Sequence, residues 1–187
     1  MIIMTKEKDI HFLRKAFESA RDLSQDANSQ TGAVLVSSSE ELISHGANRM
    51  HYGAEGRFEY GMNPKSKILL HRPKKYLGLV HAEKDAIFSA ARLNDFKLIS
   101  ESTLYATWAL CITCATTVIN MGIERVVTHQ STTDWYNEKR TQNSRLNWDK
   151  SIQEAIALLK ERKIKYEVIK EPLGGVTFLF DDEMRTI

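Results

Sequence analysis

Two short stretches of this 187-residue chain hold side chains able to bind a metal and move a proton. The first is His81-Ala82-Glu83, an imidazole two positions from a carboxylate. The second is Cys111-Ile112-Thr113-Cys114, which contains both cysteines of the sequence. One imidazole and two thiolates suit zinc, and three protein ligands leave one corner of a tetrahedral ion open to water, which zinc acidifies towards neutrality. A nearby carboxylate that is not itself needed as a ligand can take that water's proton and return it to a leaving amine. Glu83 has this placement. A Cys-x-x-Cys alone is weak, because redox pairs and structural zinc sites share it. A closed structural site needs a further ligand, and His45, His51, His71 and His129 are the remaining candidates with none at zinc-finger spacing.

The elements that must position these groups follow from periodicity. Apolar residues at helical spacing (Ile10, Leu13, Phe17, Ala20, Leu23) predict a helix over 6–24, with Thr5 as its N-cap. Residues 32–36 read as a short buried strand, 37–41 as a turn and 42–46 as the returning strand of a hairpin. From 49 to 76 glycines, prolines and basic residues break every period. An excursion of that length inside a domain is uncommon and is often functional. Helices are predicted over 82–93, 111–121 and 151–162, with strands at 102–107, 123–128 and 166–169. Gly122 suits the residue after a helix end. Residues 134–147 read as a polar loop and 176–180 as an edge strand. A hairpin followed by strand–helix alternation predicts a mixed sheet covered by helices. Both metal-binding halves then sit at helix starts, where the helix dipole favours thiolate and helices converge on one crevice.

Composition sets limits on partners. The chain carries 26 basic and 24 acidic residues, too even a balance for a surface that tracks nucleic acid. No apolar run approaches the roughly 18 residues of a membrane span, and the N-terminus lacks the apolar core of a signal peptide. A reducing, cytoplasmic setting is expected for two thiols that serve as ligands.

His-x-Glu followed by Cys-x-x-Cys is the signature of the zinc deaminases, and the chain resembles the cytidine deaminase superfamily, most of all its deoxycytidylate deaminase branch. The similarity runs over 31–169 and is carried by residues 31–36, 46–48, 75–87, 103–115 and 122–127. It implies a three-layer α/β/α fold with a central mixed five-stranded sheet, its last two strands parallel, in one domain over 1–187. The core would span about 5–170, with an insert at about 49–76 and a tail at about 171–187. Carried over by position, His81, Cys111 and Cys114 would bind Zn2+ and Glu83 would shuttle protons. Asn48 would bond a sugar hydroxyl, the backbone at Gly32, Ala33 and Ala82 would border the base, and Trp108 would wall the pocket. Two departures stand out. Leu110 occupies the place of a proline before the first cysteine, and Asp85 that of a frequent asparagine, a change that bears on substrate preference.

The insert between Asn48 and His81 points within that resemblance to a nucleotide monophosphate substrate. Arg49, Lys74, Lys75, Lys84 and Arg125 are candidate phosphate donors. The branch implies hexamers and a regulatory site answering to dCTP and dTTP, with Mg2+ accompanying the triphosphate. Arg49, His51 and Arg57 in the basic, glycine-rich segment 49–57 would form its cradle. Asp134, Trp135 and Tyr136 are candidates to cap the pocket, with a plain surface loop as the alternative. Two other functions compete: a deaminase of the same superfamily acting on a free base, a nucleoside or a nucleic acid, and a non-catalytic zinc-stabilised binding module. Glu83 discriminates against the second, since a purely structural site has no use for it.

Overall fold

Successive residues of one short strand serve two different cores. In β1 (Gly32–Val36), Val34 and Val36 join one apolar cluster while Ala33 and Leu35 join another. The same alternation continues in β5 (Thr103–Ala106), where Tyr105 faces one way and Leu104 and Ala106 the other, and in β6 (Arg125–His129), where Val127 and Val126 diverge. Strand geometry sends neighbouring side chains to opposite faces, so a sheet with both faces buried needs apolar residues in runs.

The computed structural model describes residues 2–50, 75–93, 96–139 and 148–187. Its main sheet adds β2 (Leu42–Ala47) at one edge and β7 (Lys165–Ile169) at the other, giving the order β2-β1-β5-β6-β7. β1 is antiparallel to both β2 and β5, while β5, β6 and β7 run parallel. The predicted parallel pair is therefore a parallel triplet. Parallel neighbours require a crossover. The helix α5 (Ile112–Asn120) connects β5 to β6, and α6 (Gln130–Lys139) and α7 (Asp149–Glu161) lie between β6 and β7.

One face of the sheet is covered by α1 (Ile2–Leu23), whose Leu13, Ala16, Phe17 and Ala20 pack on Val34, Val36, Tyr105 and Val127. The other face carries α3 (Ala82–Arg92), α5 and α7, through Ala86, Ile87, Cys114, Val118, Ala155 and Leu159. The layers are thus α/β/α, as the resemblance implies. Between β2 and α3, the pair β3 (Arg49–Met50) and β4 (Leu79–Val80) is antiparallel, with the short helix α2 (Lys75–Gly78) before β4. A further short helix, α4 (Phe96–Ile99), follows α3.

Three local expectations change. α1 begins at Ile2, so Thr5 lies inside it and is not its cap. Residues 130–139, of which 134–139 were read as loop, form α6: Thr132 is fully buried and donates to the Thr107 carbonyl at 2.6 Å, an anchor that leaves no apolar period to read. The segment 176–180 is not an edge of the main sheet. β8 (Thr177–Phe180) pairs with β9 (Glu183–Thr186) in a separate hairpin, and Leu173, Val176, Phe178 and Phe180 extend the α1-side core. Gly122 does sit at φ +72° after α5, as a helix-terminating glycine should.

Candidate active site

His81 and Cys111 are the N-cap residues of α3 and α5, yet neither side chain caps its own helix. A cap side chain ordinarily satisfies one of the first free amides. Here other residues do that work at the first helical amide: Asn48 Oδ1 accepts from Ala82 N at 3.1 Å, and Ser151 Oγ accepts from Ile112 N at 3.0 Å. The imidazole and the thiol are thereby free to turn into the crevice. Close packing brings the helices in. A Cβ at Gly46 of β2 would lie 2.2 Å from both the Ala82 carbonyl oxygen and the Ala86 nitrogen, so only glycine allows α3 this near to the sheet.

The result is a compact cluster. His81 Nδ1 lies 3.4 Å from each of the Cys111 and Cys114 sulfurs, which are 3.5 Å apart and form no disulfide. Glu83 Oε2 accepts from Cys114 Sγ at 3.5 Å. Cys114 is fully buried, and Cys111 and Glu83 are nearly so. Among the described residues this His/Cys/Cys set is the group that could hold a metal. A zinc ion with bonds of about 2.0 Å to nitrogen and about 2.3 Å to sulfur separates its tetrahedral ligand atoms by roughly 3.5–3.8 Å. The observed spacings lie within a few tenths of an ångström of that, so the residues fit the ion.

Electrostatics points the same way. Hydrogen bonding with Cys114 pulls the Cys111 thiol down to about 3 despite burial, with His81 and Thr113 helping. Cys114 moves the other way, held well above the usual thiol range by its bond with Cys111, by burial and by the Glu83 charge. Burial pushes Glu83 up, against the opposing pull of His81. Burial lowers His81, but bonding to Cys111 and the charges of Glu83 and Cys111 outweigh it and leave the imidazole raised. Four ionisable groups in contact that cannot all charge comfortably are a site a divalent cation discharges.

Aromatic rings frame the cluster. Trp148, just before α7, lies edge-on to His81 with ring centres 5.8 Å apart, and Tyr76 lies 6.0 Å from Trp148. Trp108 sits 5.1 Å from Tyr136 and 5.7 Å from Phe180, and its indole N–H is buried with no acceptor among the described residues. Tyr136 joins this group through its hydroxyl, which accepts from Trp148 N at 3.0 Å. Its neighbours on α6 do not: Trp135 packs on Phe178 and Phe180, and Asp134 is exposed and bonded to Gln130. Trp148, Tyr76 and Ser151 were not singled out from the sequence. A tryptophan three residues before a serine at the start of an amphipathic helix carries no spacing signal of its own.

The remaining predicted residues divide. Asn48 and Ala82 lie at the crevice, hydrogen-bonded to each other. Ala33 is buried on the α3 and α5 face. Gly32 answers a different need, because a Cβ there would lie 2.2 Å from the Ala16 carbonyl of α1 on the opposite side. Arg125 is not brought to the cluster. It points to the α1 face, where Asp9 holds both terminal nitrogens at 2.7 Å and Glu167 holds Nε. Arg49 is paired with Asp85, whose Oδ2 also accepts from Ala47 N at 3.0 Å. Asp85 therefore ties α3 to β2 and β3. Leu110, standing where a proline was expected, is buried in the core. His51 and Arg57 lie outside the described residues, as do 140–147.

Residues 6–130 match the family model for the cytidine and deoxycytidylate deaminase zinc-binding region. A deoxycytidylate deaminase from Pongo abelii is 30% identical over 118 residues, which make up 63% of this chain and 61% of that relative. The chain thus spans about 61% of the length of the curated relative it matches. Among solved structures, the dCMP deaminase from the cyanophage S-TIM5 in complex with dCMP and dUMP superposes with a TM-score of 0.53 at 19% identity, covering 85% of this chain and 94% of that one. The protein NE0047 in complex with 2,6-diaminopurine gives 0.51 at 16% identity, covering 86% and 73%. Such identities establish a shared fold, one that accommodates both a pyrimidine nucleotide and a purine. No helix among the described residues is long and apolar enough to cross a membrane. The match over most of the chain and the His/Cys/Cys convergence agree: the chain belongs to the cytidine and deoxycytidylate deaminase family.

Proposed function

We propose that the chain is a zinc-dependent hydrolase that converts deoxycytidylate and water to deoxyuridylate and ammonia. The observation that carries this is the convergence of His81, Cys111 and Cys114 within 3.5 Å with Glu83 at the side of the cluster. His81, Cys111 and Cys114 would hold a zinc ion, which when bound would supply a Lewis acid able to acidify a water. Glu83, buried and raised above the ordinary carboxylate range, would carry the water's first proton to ring N3 and then the proton left on the new C4–O group to the departing amine. The bond formed is C4–O and the bond broken is C4–N, with the amine leaving as ammonia. Trp108 walls the pocket, and its indole N–H, which has no acceptor among the described residues, is a donor for substrate. Asn48 Nδ2 donates to Asp26 alone among the described residues, which leaves an amide hydrogen for a sugar hydroxyl.

Deoxycytidylate is preferred over other substrates on the strength of the deoxycytidylate deaminase relative and of the near-neutral charge balance, which disfavours a polynucleotide. Response to dCTP and dTTP, Mg2+ at a regulatory site, hexameric assembly and a cytoplasmic setting rest on the resemblance alone. Ammonia release from deoxycytidylate, with zinc measured on the same sample, tests the activity. Glu83→Gln should keep its zinc and lose roughly 10²–10⁴-fold in turnover. Wild-type turnover in that variant would overturn the assignment. Titrating the two triphosphates in the same assay tests regulation, and no response to either would discard it.

A further inference from the structure

A second set of buried charges lies one residue removed from the metal cluster, and the reaction as described does not use it. Asp26 follows α1, and its side chain is 2% exposed. Its carboxylate receives the Lys75 ammonium on both oxygens at 2.7 Å, and the Lys75 side chain is 5% exposed, so this lysine, a candidate phosphate donor by sequence, is committed to Asp26 and not presented to a substrate. Oδ1 also accepts from the backbone amides of Asn28 at 2.9 Å and Ser29 at 3.0 Å, which closes the turn leading into β1. Oδ2 faces the Asn48 side chain, accepting from Nδ2 at 3.3 Å.

Asn48 is therefore read from both ends. A carboxylate can only accept and a backbone N–H can only donate, so Nδ2 must face Asp26 and Oδ1 must face Ala82. Ala82 is the residue between the metal ligand His81 and Glu83, and its amide is the first of α3. The backbone of Asn48 is fixed as well, donating to the Thr31 carbonyl and accepting from Gln25 N. With one amide hydrogen on Asp26, the second is the one left for a ligand.

We propose that Asp26 is a positioning residue of the substrate pocket. Its carboxylate, with its charge balanced by Lys75, fixes the orientation of the Asn48 amide, and that amide both holds the start of α3 and presents N–H to the sugar of the substrate. The sugar contact rests on the deaminase reading above; the orientation of the amide does not.

The experiment uses two variants of the full chain. Asp26→Asn combined with Lys75→Met removes both buried charges and keeps the turn acceptor. The new amide then points N–H at Asn48 Nδ2, donor against donor. Lys75→Met alone keeps the carboxylate and hence the orientation. In the double variant, KM for deoxycytidylate should rise at least about tenfold while kcat stays within about threefold and zinc per chain is unchanged. Lys75→Met alone should leave KM within about threefold of wild type, whatever it costs in thermal midpoint. With 2′,3′-dideoxycytidine monophosphate, which lacks the remaining sugar hydroxyl, the double variant and wild type should converge. Hydrogen exchange at the Ala82 amide, followed by NMR, should speed up at least about tenfold in the double variant only. An unchanged Ala82 exchange rate would overturn the proposal whether or not the wild type deaminates anything, and equal KM values in an active enzyme would overturn it too. Loss of the deaminase reading alone would show as inactive wild type with the exchange difference intact.

Discussion

The two faces of the central sheet bury ionisable groups in opposite ways. On the α1 face, Asp9 accepts two guanidinium nitrogens of Arg125 at 2.7 Å and the Tyr105 hydroxyl at 2.8 Å, while Glu167 takes the third nitrogen. Burial and then the Asp9 bond hold Tyr105 protonated, far above its usual range, and the Asp9 bond keeps Arg125 charged. Every charge there meets its opposite within the protein. On the α3 and α5 face, two thiols and a carboxylate meet a single imidazole, three acidic groups against one base in direct contact. A buried polar set that closes on itself locks a fold, whereas one that stays open demands a ligand. The contrast separates structure from function here more cleanly than burial does, since both sets are buried.

The sharpest way to test the contrast is to remove one member of each set. Cys114→Ala should drop zinc from about one ion per chain to under about a tenth of that in dialysed protein, read by elemental analysis, because two ligands do not hold the ion. Asp9→Ala strands Arg125 and the Tyr105 hydroxyl. It should cost roughly 3 kcal/mol in urea unfolding, since a buried network loses its central acceptor and Arg125 keeps only Glu167, and should leave zinc content unchanged. Zinc loss in Asp9→Ala would show that the two faces are not independent.

A subtler pair of variants applies the same steric insult to each face. Gly32→Ala would drive a Cβ into the Ala16 and Ala20 backbone of α1, and Gly46→Ala would drive one into the Ala82 and Ala86 backbone of α3. Each should cost about 1–3 kcal/mol by overpacking. Only Gly46→Ala should also weaken zinc retention against a chelator, because only α3 carries His81. Equal zinc retention in the two would deny that β2–α3 contact sets the ligand position.

The smallest effect expected is one of pH. His129 is 1% exposed, its Nε2 donates to the Glu171 carbonyl at 2.9 Å and its Nδ1 accepts from Ser131 N at 3.2 Å, an arrangement that needs the neutral ring. Burial holds its pKa below the ordinary histidine value. The unfolded chain binds that proton first as pH falls. Stability is therefore complete above about 6.5 and declines as pH drops from there towards the depressed folded value. The thermal midpoint of His129→Gln should fall less between pH 7 and pH 5.5 than that of wild type. Parallel curves would assign the pH dependence to other groups.

How much of this could be read from residue order depends on whether a feature is local. The His/Cys/Cys set and Glu83 were legible because each half of the motif lies within four consecutive residues at a helix start. The strand–helix alternation after residue 81 was legible for the same reason, as was Gly122. Helix α6 was not, because Thr132 and Tyr136 anchor it by single polar bonds and leave no amphipathic period. The placement of Arg125 was not legible, because a basic residue at a strand start looks the same whether it faces a ligand or Asp9, 116 positions away. Asp85, read as a change bearing on substrate, turned out to clamp β2 and Arg49.

The amino-acid order alone settled the kind of chemistry available, since an imidazole, two thiols and a carboxylate at fixed spacing are properties of neighbouring residues. The fold decided what long-range contact decides. It brought residues 81 and 111–114 within 3.5 Å, set Asn48 and Ser151 as surrogate caps so the true cap residues could serve as ligands, and placed Trp148 beside His81. None of these follows from spacing, because each joins elements distant along the chain, and only the closing of the sheet with its helices fixes which of them touch.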